Sequence, residues 1–268
     1  MSTAVFKPQD LQRWSGFDSI REILVVSSDY ILLCFVLNPK VKLVNTRDGR
    51  ILSEVSVTSW AKFLFSNMWY RLSLIRKDRA AVAFSNKIQF INIQGQSITL
   101  GTVLKLKHDP VDVSRCGNSD LVVSYFTAPW LEVISPDGSV CHQFRQNGTT
   151  SHFGYPENLT TSVDGYIYVS DRDTNKITKL DSSLQLLQTF SDPLLNKPCA
   201  TISVSPDQLL VCSYDNYRIV LINTSTGESS ILLGPEDGIE RPMSLTYCPE
   251  QEKLYVTQEG ALKVYKRS

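Results

Sequence analysis

An all-β architecture, a six-bladed β-propeller built from four-stranded antiparallel sheets, is predicted by three observations. A short alternating segment closed by a polar residue recurs six times along the 268 residues. A more apolar segment precedes each copy and always ends in a small residue. Prolines mark the start of the later units at a matching spacing.

The alternating segment reads Val41–Asn45, Ile88–Asn92, Leu131–Ser135, Ile177–Asp181, Ile219–Asn223 and Leu262–Lys266, with first residues separated by 47, 43, 46, 42 and 43 positions. Period-two alternation marks a strand, because successive side chains of extended backbone point to opposite faces. Asp48-Gly49, Gln94-Gly95, Asp137-Gly138 and Thr226-Gly227 supply the turns that lead into a further strand. The apolar segment reads Ile31–Cys34, Ala80–Ala83, Leu121–Ser124, Ile167–Ser170, Leu209–Cys212 and Leu254–Thr257. Its last residue is Cys, Ala, Ser, Ser, Cys or Thr, as expected where sheets crowd toward an axis and packed interiors admit little extra volume. Pro110, Pro156, Pro198 and Pro242, spaced 46, 42 and 44, suit the first residue of a strand, where no ladder donor is needed.

Each unit therefore reads as four strands, a to d. In the fourth unit they are Pro156–Ser162, Tyr166–Asp171, Lys176–Asp181 and Gln185–Phe190, and no segment carries a helical stripe. An open array would expose sheet edges, whereas a ring of radial sheets leaves only short ones. The last unit lacks a fourth strand, and Leu11–Trp14 is predicted to supply it. Residues 1–10 are then a tail and 11–268 one propeller.

The apolar fraction of 42% and charged fraction of 20% suit a globular chain with a large core. Zero formal net charge gives no global field toward nucleic acid or anionic lipid. No apolar run is long enough to span a bilayer, and Met1–Phe17 lacks the apolar core of a signal peptide, so a cytoplasmic location is expected. The six cysteines form no C-x-x-C pair, which argues against a zinc site and for buried free thiols. Asn147, Asn158 and Asn223 open glycosylation sequons that read as turn chemistry outside a secreted route.

Asp164-Gly-Tyr-Ile-Tyr-Val-Ser170, followed by Asp171-Arg-Asp-Thr-Asn-Lys-Ile177, resembles the NHL repeat, and Asp215-Asn-Tyr-Arg-Ile219 resembles it moderately. Asn158 stands where the repeat has glycine after Pro156. Taken whole, the chain is similar to the C-terminal propeller of tripartite-motif (TRIM) proteins. That resemblance implies a recruiting role in a ubiquitin pathway; ligase activity would need RING and B-box domains, which this sequence does not contain. Gly-His and Trp-Asp dipeptides of WD repeats do not occur.

In a four-stranded meander the b–c turns and d–a connections share one face. The residues expected there for partner binding are Lys40, Lys87, Phe126, Trp130, Asp173, Asn175, Lys176, Tyr214 and Arg218. The basic residues just before strand c, with an aromatic wedge at Trp130, would dock an acidic peptide or a phosphate backbone. Eight basic residues against Asp78 and Asp109 make Trp60–Pro110 a positive second blade, and seven acidic residues against Arg241 and Lys253 make Glu228–Gly260 negative. With Trp60, Trp69 and Tyr70, the second blade resembles family members that bind single-stranded RNA. A calcium-dependent lactonase or esterase would draw on Asn158, Asp173, Asn175 and Asp215, but no acidic residue is seen to recur at the channel-facing start of strand a, and no histidine stands beside a nucleophile. The expectation is a non-catalytic binding module for a protein partner, with RNA as the alternative and calcium hydrolysis as the second, and with no cofactor, metal or DNA ligand.

Overall fold

A computed structural model describes residues 6–9, 20–35, 38–58, 71–126, 130–144, 152–259 and 261–267. Blade 1 comprises β2 to β5 (Ile20–Val25, Tyr30–Phe35, Asn38–Asn45, Ile51–Ser56), and blade 2 comprises β6 to β9 (Arg71–Arg76, Arg79–Phe84, Lys87–Gln94, Ser97–Lys105). Blade 3 comprises β10 to β13 (Pro110–Cys116, Asp120–Tyr125, Leu131–Ile134, Val140–Phe144). Blade 4 comprises β14 to β17 (Pro156–Thr161, Ile167–Asp171, Lys176–Leu180, Leu186–Ser191). Blade 5 comprises β18 to β21 (Pro198–Ser205, Gln208–Ser213, Arg218–Asn223, Ser229–Leu233). Blade 6 comprises β22 to β24 (Pro242–Cys248, Lys253–Gln258, Ala261–Arg267), completed by β1 (Phe6–Gln9).

All six sheets are antiparallel meanders. Each of the four prolines opens its strand a, where its missing N–H leaves no ladder bond unmade. The strands a touch one another in order round the ring, β22 meeting β2 again. The chain is a six-bladed β-propeller.

The closing strand is not Leu11–Trp14, which lies outside the described residues. Phe6–Gln9, taken from the segment expected to be a tail, pairs antiparallel with β24, from Phe6 opposite Arg267 to Gln9 opposite Val264. Phe6 sits edge-on to Tyr247 at 6.3 Å, so an apolar contact accompanies the pairing. Length alone could not choose between these segments, since both offer a short stretch at the right end of the chain.

The core is not one mass but six layers, each between neighbouring blades. Leu32 and Leu43 of blade 1 meet Val82 and Ile91 of blade 2, and Tyr168 of blade 4 meets Val211 of blade 5. The layer of Ile23, Ile31, Val44, Tyr255 and Val264 joins blade 6 to blade 1 and so seals the ring. Every sheet must bury both faces, which is why strands b read as continuous apolar runs. The small residues ending them, Cys34, Ala83, Ser124, Ser170, Cys212 and Thr257, are all buried.

Candidate functional site at the channel mouth

Strand a opens with a bulge in five blades, between Ile20 and Glu22, Pro110 and Asp112, Pro156 and Asn158, Pro198 and Ala200, and Pro242 and Ser244. The inserted residues are Arg21, Val111, Glu157, Cys199 and Met243. A bulge re-aims side chains and sharpens the twist. Just past it, Glu22, Asp112, Asn158, Ala200 and Ser244 stand opposite the small residues of strand b, and Arg71 takes that place in blade 2.

Acidic residues therefore do stand at the start of strand a, in blades 1, 3 and 4, contrary to the sequence expectation. Glu22, Asp112 and Glu157 are all buried. Counting from the opening proline hides the pattern, because Glu157 is the inserted residue directly after its proline whereas Asp112 stands past the bulge, and blade 1 has no proline marker.

These groups converge across the ring. Arg71, fully buried, donates to Glu22 Oε2 at 3.0 Å and to Glu157 Oε1 at 2.6 Å. Arg21 approaches the same Glu157 oxygen at 3.4 Å, and Arg172 donates to Glu157 Oε2 at 3.2 Å. Blades 1 and 4 face each other in a six-membered ring, so Glu157 ties opposite sides together. Burial alone would lower the Arg71 pKa, but Glu22 and Glu157 outweigh it and hold the guanidinium charged. Burial, reinforced by Arg71, lowers that of Arg21. Burial pushes the Asp112 carboxyl up to about 7, Arg71 opposing and Glu22 adding to the effect.

The same positions stitch blade 3 to blade 4, blade 4 to blade 5 and blade 6 to blade 1. Asp112 Oδ2 accepts from Leu159 N and Asn158 Nδ2, both at 2.8 Å; Asn158 Oδ1 accepts from Thr201 N at 2.8 Å; and Ser244 Oγ accepts from Ile23 N at 3.4 Å while donating to Glu22 Oε1 at 2.5 Å. Backbone donors that would be orphaned in the channel are satisfied this way.

Above this base, Asp171 organises the rim. Its carboxylate accepts from Gly154 N at 2.7 Å, Tyr155 N at 3.1 Å, Asp173 N at 3.1 Å and Thr174 N at 3.0 Å. The d–a connection carrying Tyr155 is thereby locked beside the b–c turn carrying Arg172, whose N–H donates to Tyr155 O at 3.0 Å. Gly154 is required by proximity, since a Cβ there would lie 2.8 Å from Asp173 Cβ. Phe126, 60% exposed, stands edge-on to Tyr155 at 5.5 Å, and the Arg172 guanidinium lies 5.2 Å from the Tyr214 ring centre. The bonds of Asp171 to Asp173 N and Thr174 N are ordinary turn chemistry between near neighbours; its grip on the neighbouring connection reaches back 16 and 17 positions and depends on the fold.

The other expected site residues occupy varied settings. Lys176 is exposed and Arg218 half-buried, each at the start of its strand c. Lys40 is ion-paired with Glu54, and Lys87 lies over the Phe84 ring at 4.5 Å. Asn175, in the left-handed region at φ 57°, accepts from Lys197 N at 2.8 Å, while Asp173 is exposed. Trp130 is half-buried, turned toward His108 at 5.0 Å and Tyr125 at 5.5 Å, in a cleft of about 660 Å³ between blades 2 and 3. Of the oxygen groups considered for calcium, Asn158 bonds Asp112 and Thr201, Asn175 bonds Lys197, and Asp215 is ion-paired with Lys197 at 2.7 Å. Asn158 is engaged in the channel, whereas Asn175 and Asp215 meet at Lys197, and among the described residues no group of three or more His, Cys, Asp or Glu is arranged to hold a metal. Trp60, Trp69 and Tyr70 lie outside the described residues. Five cysteines are buried and Cys141 is exposed, all as free thiols. Among the described residues no helix is long and apolar enough to cross a membrane.

No family model matches the chain, and no curated protein matches it. Solved structures do. Virginiamycin B lyase from Staphylococcus aureus superposes with a TM-score of 0.64 at 19% identity, over 97% of this chain and 88% of that one. A luciferin-regenerating enzyme gives 0.69 at 12% identity, over 98% and 95%. The Swd1 β-propeller domain of Myceliophteria thermophila gives 0.63 at 16%, over 93% and 83%. Enzymes and a propeller domain of a different kind thus share this architecture. At such identities the likeness is one of fold alone, because a propeller hosts unrelated chemistries at its mouth.

Proposed function

We propose that the chain is a binding module whose b–c/d–a face captures a segment of a protein partner, without catalysis of its own. The observation that carries this reading is the exposed Phe126, braced by Tyr155 beside the Arg172–Tyr214 pair on a turn that Asp171 locks. Exposed aromatic and arginine side chains held on a rigid base are the groups that dominate protein-binding energy. The carboxylates beneath are buried and engaged by guanidinium, amide or hydroxyl donors, which suits a scaffold. A TRIM-like role in recruiting a ligase substrate rests on the likeness of Asp164–Ile177 to the NHL repeat.

Single-stranded RNA has less support. In the second blade Arg71 is spent inside the channel, Arg76 is paired with Asp78 at 2.8 Å, and Arg79 lies over the Phe90 ring at 3.8 Å. A photo-crosslinking amino acid at position 126, compared with one at the exposed Val163 on the opposite a–b turn, tests the reading in cells. Discrete protein adducts from position 126 and none from 163 are expected. Adducts to RNA alone, or equal protein labelling from both positions, would overturn it.

A further inference from the structure

Resting on that reading, we infer that the captured segment is acidic, and that one of its carboxylates is received by Arg172 at the channel mouth. Three features of the site lead there. Arg172 gives one donor to Glu157 Oε2 at 3.2 Å, and the rest of its fork has no protein acceptor among the described residues. Its side chain remains 28% exposed and is steadied by the Tyr214 ring, so a planar cation faces the mouth in a fixed orientation. A guanidinium so placed matches a carboxylate in two-pronged geometry.

The charge beneath favours the same ligand. Arg21, Arg71 and Arg172 converge on Glu22 and Glu157, and the remaining carboxyl, Asp112, is held partly protonated near neutral pH by burial. Among these six groups positive charge is in slight excess, with Arg172 as its outlet, and the adjacent carboxylate of Asp171 is already engaged by four backbone N–H groups.

The rim agrees on balance. Lys176 and Arg218 have no acidic partner among the described residues, whereas of the nearby acids Asp215 is neutralised by Lys197 and Glu259 by Arg241 at 2.9 Å. Asp173, exposed on the same turn as Arg172, and Glu240, exposed on the connection into blade 6, oppose them, while Asp171 and Asp192 are engaged by backbone N–H groups. Phe126 and Tyr155 lie alongside, so an acidic residue followed by an apolar one fits the arrangement.

Random dodecapeptides displayed on phage and panned on the whole chain provide the test. Selected sequences are then titrated as fluorescein-labelled peptides by fluorescence anisotropy. Enrichment in Asp and Glu is expected, with affinity falling roughly tenfold in Arg172→Gln and in the surface double variant Lys176→Glu/Arg218→Glu, and weakening as salt rises. The double variant keeps the test valid should Arg172→Gln lose its fold in thermal melts. Neutral or basic peptides weakened by Phe126→Ala would refute the acidic segment while leaving the binding face standing. Peptides indifferent to all these substitutions, or none selected, would count against both. Displacement by mixed single-stranded RNA but not by hexaglutamate would reassign the face to nucleic acid.

Discussion

Asp112 sits where burial, a neighbouring guanidinium and a neighbouring carboxylate compete, and burial wins. In an unfolded chain an aspartate titrates near 3.9. In the fold its pKa is pushed up to about 7, so the folded state holds a proton that the unfolded state has released across the window between the two values. The stability this proton lends is complete below about pH 4 and is lost as pH rises through about 7. Asp112→Asn should abolish that contribution, so urea unfolding across this window should show a steeper decline for the wild type than for the variant. Identical slopes would show that Asp112 does not carry the effect. The presence of this residue was visible in the sequence, directly after Pro110-Val111. Its environment was not, because Arg71 and Glu22 reach it from strands dozens of residues away.

At the scale of the strand, the small residue closing each strand b follows from the chain's own periodicity, and the structure explains it. Ala83 lies opposite Arg71, inside the layer shared by blades 2 and 3. Ala83→Leu would add volume to a close-packed wall and is expected to cost about 1–3 kcal/mol. The same measurement on Val163→Leu, at 74% exposure, should move stability by no more than about 0.5 kcal/mol. Equal effects at both positions would contradict the packing argument. The strands of blade 4 fall within about a residue of their expected bounds, because alternation and turn residues mark them locally. The bulges opening strand a were not read, since an inserted residue leaves the alternation intact on either side of it.

For the molecule as a whole, closure decides stability. β1 shields the edge of β24 and places Phe6 against Tyr247. Removing Phe6–Gln9 exposes both the unpaired edge and the apolar contact, and exposed edges template association. The thermal midpoint should fall by about 2–4 °C for each kcal/mol lost, with larger species appearing in size-exclusion chromatography. An unchanged midpoint with a monomeric profile would mean that the clasp contributes nothing.

Six repeats, four strands per repeat, buried small residues and the turn-forming role of Asp171 were all dictated locally, by alternation, by residue size and by turn chemistry acting over a few neighbouring positions. Which terminal segment clasps the ring, how three arginines and three acids meet at the axis, and which exposed ring stands above them depend on contacts between residues far apart in the chain, as between Phe6 and Arg267 or, 222 positions apart, Glu22 and Ser244. No local rule encodes such pairings, because they come into being only when the ring closes and opposite strands are brought to a common axis.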